Sequence, residues 1–183
     1  MIVRFTETGA APILNDRVDV LYNKTEALDN FLPRREIERV QNVLDDTDDI
    51  RRQVFSVERF LTNQIRAPKS ISRQVELAAR MIRISEGRSS TAVIARRAAM
   101  SQSALERHFR AAVGTTPKRL SRLARLQNVC RLWDSGKTLT EIAFEAGYSD
   151  QPHMVHDFRL FTGKSPENFL RSASPRNLPT FYK

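Results

Sequence analysis

Ser103, Glu106, Arg107 and Arg110 fall at i, i+3, i+4 and i+7, so on a helix they share one stripe, opposite the apolar Leu105 and Phe109. The set can read base edges. An Arg107 guanidinium can pair with guanine O6 and N7, a Glu106 carboxylate accepts from cytosine N4, and the Ser103 hydroxyl adapts to either role. A blander use stands beside it: Glu106 and Arg110 are spaced for a surface ion pair worth about 0.3 kcal/mol. Further along, Met154 and Phe158 would turn inward and leave Gln151, Pro152, Val155, His156 and Arg159 outward. Gln151 suits adenine N6 and N7, and Pro152 or Val155 suits a thymine methyl. His153 either contacts a phosphate or packs near the helix cap. Lys118, Arg119 and Arg122 either contact phosphates or are plain surface.

Other constellations fail on spacing. Gly136-Lys137-Thr138 and Gly163-Lys164-Ser165 suggest a phosphate-binding loop, but the first glycine that loop requires is replaced by Arg131 and by Phe158. His153, His156 and Asp157 lack a companion cluster of Cys or His to complete a metal site. Cys130 lies among Leu126, Val129 and Trp133 and reads as a small buried apolar residue. No paired carboxylates and no Ser/His/Asp spacing suggest catalysis. The expectation is a protein that is not an enzyme and needs no cofactor.

The elements that must hold these residues are mostly helices. Ile2 to Phe5 read as a short strand ending in a Gly-Ala-Ala-Pro turn, too little for a sheet. Pro33 opens a helix with Ile37, Val40, Val43 and Leu44 on one face. The acidic run Asp45, Asp46, Asp48 and Asp49 separates it from a second helix carrying Ile50, Val54, Val57, Leu61 and Ile65. Ile50, Val54, Val57 and Leu61 form a seam for a partner helix, either within the chain or from a second subunit. Residues 66–70 (RAPKS) mark a linker. From Ser72 the pattern is helical throughout: Val75, Ala78, Ala79 and Ile82 share a face that stops at Gly87. Helices come next over Thr91–Ala98, Ser101–Val113, Pro117–Trp133, Thr140–Ala146, Asp150–Phe161 and after Pro166. Ser101, Thr116, Asp150 and Ser165 stand where N-caps are wanted, with Pro117 and Pro166 in first-turn positions. The fold expected is all-α: two helix-turn-helix subdomains, about 91–113 and 140–161 within a domain over 72–172, joined by a long linker helix. A small, mainly helical segment over 1–66 precedes them, and 173–183 form a tail.

The two candidate stripes belong to a repeat. At an offset of 49 residues, Leu105 matches Met154, Phe109 Phe158, Arg110 Arg159, Gly114 Gly163, Thr116 Ser165, Pro117 Pro166 and Leu120 Phe169. Upstream the offset is 48, pairing Ile94, Ala95 and Ala98 with Ile142, Ala143 and Ala146, so the second copy has one extra residue in its turn. Helix, tight turn, helix is the arrangement whose second helix enters a major groove. The stretch IAFEAGYSDQPHMVHDFRLFTGKSPENF is similar to the signature of the AraC/XylS family of bacterial transcription regulators. The first copy, IARRAAMSQSALERHFRAAVGTTP, and the joining RLARLQNVCRLWDSGKTLTEIA resemble that family's other half. The resemblance covers roughly residues 72–171 and places base contacts on Ser103, Glu106 and Arg107. It also likens residues 1–66 to the end of a sensor domain whose ligand-binding barrel is missing. His156 departs from the family, where arginine is frequent, which weakens base readout by the second unit because a neutral imidazole offers one donor.

Charge agrees with a polyanion partner. Residues 1–66 hold 10 Lys/Arg against 12 Asp/Glu, whereas 67–183 hold 20 against 9, and a basic excess confined to one region is the footprint of phosphate neutralisation. No run of about 18 apolar residues exists, the start lacks a secretory pattern, and a lone cysteine fits a reducing cytoplasm. The expected partners are double-stranded DNA, RNA polymerase and a second copy through the N-terminal helices, in a nucleoid-associated protein without membrane contact. The alternative is a truncated regulator that sequesters or competes with a full-length relative. A non-specific architectural protein would need wedge residues and minor-groove arms that are not evident.

Overall fold

Helix starts in the computed structural model coincide with side chains that can accept from free backbone amides. Asp49 accepts from the Arg51 amide at 2.9 Å, Ser90 from Val93 at 3.3 Å, Ser101 from Ala104 at 3.2 Å, Thr116 from Arg119 at 3.2 Å and Asp150 from His153 at 2.7 Å. Thr138 and Glu141 form a reciprocal capping box. The Thr138 hydroxyl and backbone N–H hold the Glu141 carboxyl below its usual range. The structure describes residues 2–14, 18–21, 24–65 and 72–172; the expected linker 66–70 and the tail 173–183 lie outside the described residues.

Among the described residues the regular structure is entirely helical: α1 Ala11–Leu14, α2 Arg34–Asp46, α3 Ile50–Gln64, α4 Arg73–Ile84, α5 Thr91–Arg97, α6 Gln102–Val113, α7 Pro117–Leu132, α8 Leu139–Glu145, α9 Gln151–Thr162 and α10 Pro166–Ser172. The strand expected at Ile2–Phe5 does not form. No partner strand among the described residues offers its backbone to pair with, and a lone strand leaves its amides and carbonyls unpaired.

The chain divides into two compact units, one of residues 1–76 with Glu106–Thr115, the other of Leu77–Leu105 with the residues from Thr116 onward. In the first, Ile13, Leu32 and Phe60 form a small core backed by Phe31, Ile37, Val40 and Leu61. The Gln53 amide donates to the carbonyls of Leu44 at 3.2 Å and Thr47 at 2.7 Å, fixing the α2–α3 turn. The Val57 and Leu61 part of the seam is half-buried against the chain itself, whereas Ile50 and Val54 stay exposed. At the end of α6, Gly114 has φ +80, and a Cβ there would sit 3.1 Å from the Val18 carbonyl oxygen.

The second unit has the larger core. Leu126 and Val129 of α7, Ile142 and Ala143 of α8, Met154 and Phe158 of α9, and Leu170 of α10 pack with Ala146 and Tyr148. Phe158 and Phe169 meet edge to face at 6.0 Å. Gly87 ends the stretch after α4 at φ +77, where a Cβ would lie 2.0 Å from the Ser121 carbonyl oxygen, so any other residue would push the loop off α7.

Candidate nucleic-acid interface

Both repeat copies build the same turn. After α5 the Met100 amide donates to Ala95 O and the Ala99 amide to Arg96 O; after α8 the Tyr148 amide donates to Ala143 O and the Gly147 amide to Phe144 O. These paired bonds satisfy the helix-end carbonyls and require a left-handed residue. The second copy uses Gly147 at φ +88; the first places Ala99 there at φ +52.

On α6, Leu105 and Phe109 are fully buried, and Ser103, Glu106, Arg107 and Arg110 are all exposed as one stripe. Arg110 Nη2 donates to Glu106 Oε1 at 2.8 Å, so the surface ion pair forms. Such an exposed pair is weak enough for a phosphate or base to displace. Arg107 Nη2 lies 3.5 Å from His108 Nε2. On α9, Met154 and Phe158 are fully buried, Pro152, His156 and Arg159 are exposed, and Gln151 and Val155 are half-buried. Gln151 Oε1 accepts from the Thr140 hydroxyl at 3.0 Å. His153 sits at the cap, its Nδ1 3.1 Å from Ser149 Oγ and its ring edge-on to Tyr148 at 5.2 Å. Lys118 is exposed on α7, and the Arg119 guanidinium lies over the Phe161 ring at 5.0 Å.

Arg122 is not plain surface, nor is it a free cation for phosphate. Its Nη2 and Nε donate to Asp157 Oδ1 at 2.6 and 3.0 Å. Asp157, on the inner face of α9, is fully buried. Arg125 approaches the other carboxylate oxygen at 3.8 Å, lies 5.1 Å over the Tyr148 ring and donates to the Gly87 carbonyl at 2.9 Å. A buried carboxylate costs several kcal/mol unless paired, and here the pairing ties α7 to α9. The hydrogen bond from Arg122 to Asp157 raises the Arg122 pKa, and burial raises that of Tyr148. Sequence reasoning weighed Asp157 only as a metal ligand. The signal available was its place on the stripe Met154, Asp157, Phe158, Phe161 with two arginines three apart on α7.

Glu86 was also missed. It occupies the left-handed region at φ +52 and accepts from Arg88 at 3.1 Å, Asn128 at 3.0 Å and Arg131 at 2.5 Å. Those three donors hold a strained residue in place before Gly87. Cys130 lies in the apolar core of the second unit, where burial pushes its thiol up to about 11, so it is a poor nucleophile at neutral pH.

Each repeat copy is a helix-turn-helix whose second helix has a fully buried apolar pair and an exposed outer face, the arrangement of a DNA-binding module. Residues 94–172 match the family model of a helix-turn-helix domain, and the match supports an AraC-type DNA-binding domain of a transcription regulator over that stretch. Neither a curated protein nor a solved structure matches the chain. Among the described residues, no helix is long and apolar enough to cross a membrane.

Proposed function

We propose that the protein is a sequence-specific regulator of transcription that lays α6 and α9 into consecutive major grooves of double-stranded DNA. The observation that carries this is the duplicated outer stripe, Ser103, Glu106, Arg107 and Arg110 on α6 and Pro152, His156 and Arg159 on α9, exposed over fully buried apolar pairs. A single helix of 16 residues, α7, joins the units. At 1.5 Å per residue it is roughly 24 Å long, a rigid spacer on the scale of one turn of DNA, about 34 Å. The first helix-turn-helix specifies sequence through Arg107, Glu106 and Ser103. The second mainly anchors, with Arg159 on phosphate, Gln151 and Val155 at the margin of the groove, and Lys118 on phosphate at the start of α7.

Footprinting on genomic fragments tests this. One chain should protect an asymmetric site of roughly 20 base pairs, two groove steps. A single short half-site at saturating protein would contradict the two-groove reading, and absence of any specific shift would favour a chain that acts by sequestering a relative.

A further inference from the structure

The core of the second compact unit packs α8, α9 and α10 against α7 and, among the described residues, takes in none from α4 or α5. A polar cluster reaches across instead, and Arg125 of α7 is its centre. Its Nη1 donates to the Gly87 carbonyl at 2.9 Å, in the loop that leads to α5. Its Nη2 lies 3.8 Å from Oδ2 of Asp157 on α9, and its guanidinium lies 5.1 Å over the ring of Tyr148, in the turn between α8 and α9. The Arg125 side chain is 15% exposed and that of Asp157 not at all, so water and salt screen their attraction little. The same turn also presses on the loop directly. A Cβ on Gly147 would come 2.5 Å from Arg88 Cγ and 3.4 Å from Arg125 Cδ, whereas its counterpart in the first copy, Ala99, carries its Cβ through the same pattern of turn bonds. All these residues, with α5, the turn after it and α6 as far as Leu105, belong to one compact unit.

A guanidinium is planar, forked and always charged, so it can serve a carbonyl, a carboxylate and an aromatic face together; an ammonium is a point charge and cannot. We propose that Arg125 is a positioning residue for DNA recognition: with Asp157 as its counterion it locks α9 to the loop before α5, so that the two helix-turn-helix elements meet DNA at one spacing and one rotation. The inference rests on the two-groove reading above. A joining helix holds its two ends apart without fixing how the flanking elements are turned, and the Arg125 clasp fixes the turn. One base pair inserted between the two contacted segments shifts the second by about 3.4 Å and rotates it by about 35°, a change that a locked pair cannot follow. Arg122 does a narrower task, since it bonds Asp157 and lies over Phe161, both on α9.

A duplex that the unmodified full chain binds specifically is selected from a randomised library, and footprinting maps the segments it protects. Affinities are then compared for that duplex and for one lengthened by a single base pair between the segments. The unmodified chain should bind the lengthened duplex at least about tenfold more weakly. Arg125→Lys keeps the charge but loses the fork, and should narrow that ratio to about threefold or less with helical circular dichroism retained and base preferences within each segment unchanged. A residue that served stability alone would lower both affinities by one factor and leave the ratio unmoved. If Arg125→Lys does not fold, Asp157→Asn, which removes the counterion at nearly constant volume, makes the same measurement. An undiminished ratio in the folded variant overturns the proposal, as does an unmodified chain that protects two segments yet tolerates the added base pair. Protection of one segment only would instead overturn the two-groove reading, and the clasp's proposed role with it.

Discussion

Arg107 and His156 occupy equivalent places in the two repeats, and their chemistry separates the roles of the units. A guanidinium keeps a permanent, forked charge, whereas a neutral imidazole has one donor. Arg107→Ala should cost about 1–3 kcal/mol and relax preference at one base pair. Arg159→Ala or Lys118→Ala should weaken binding to all sequences and lower the salt slope by about 1 each. Binding to a panel of single-base operator variants at fixed salt checks this, and a larger change in base preference from His156→Ala would reverse the division of labour. The Arg122–Asp157 pair makes a second prediction. Arg122→Ala should destabilise the protein by about 3 kcal/mol, because Asp157 stays buried with only the more distant Arg125 beside it. Asp157→Asn should cost less, about 1–2 kcal/mol, since the partly exposed Arg122 can turn to water. Urea unfolding measures both, and the reverse order would show that Arg122 contributes less than the geometry implies.

Among the elements, the turn before α6 carries strain that the turn before α9 avoids. Ala99 at φ +52 and Gly147 at φ +88 make the same backbone bonds, but a left-handed alanine costs about 1–2 kcal/mol and glycine does not. Glycine loses more chain entropy on folding, about 0.5–1 kcal/mol. Ala99→Gly should therefore stabilise the protein by up to about 1 kcal/mol, read as a higher urea midpoint at unchanged slope. A lower midpoint would mean that the alanine methyl packs usefully where it stands. α3 shows a different division within one element. Its stripe was open to two readings from spacing alone, and Val57 and Leu61 face their own chain while Ile50 and Val54 remain exposed.

That division governs how the whole molecule would self-associate. A dimer through the N-terminal helices would use Ile50 and Val54, with 68% and 40% exposure, since Val57 and Leu61 are engaged within the chain. Ile50→Glu with Val54→Glu should convert a dimer to a monomer without loss of helicity, whereas Leu61→Glu should unfold the first unit. Sedimentation and circular dichroism distinguish these outcomes, and an unmodified chain that is monomeric at micromolar concentration ends the dimer proposal. Charge acts on the same scale. The basic excess beyond residue 66 predicts affinity for DNA that falls linearly with the logarithm of salt concentration, through counterion release.

Sequence alone determined the helices, their caps, the repeat and the outward stripes, because each depends on residues within a few positions of one another. Ser101, Thr116 and Asp150 cap α6, α7 and α9, and Leu105, Phe109, Met154 and Phe158 are buried at helical spacing. Tertiary structure decided the rest. The Ile2–Phe5 segment is rich in β-branched and aromatic residues, yet no neighbour in the described structure pairs with it, and strand formation depends on that neighbour. Asp157 is a charge that local pattern would send to solvent; it is buried because Arg122 and Arg125, more than 30 residues earlier, reach it across α7 and α9.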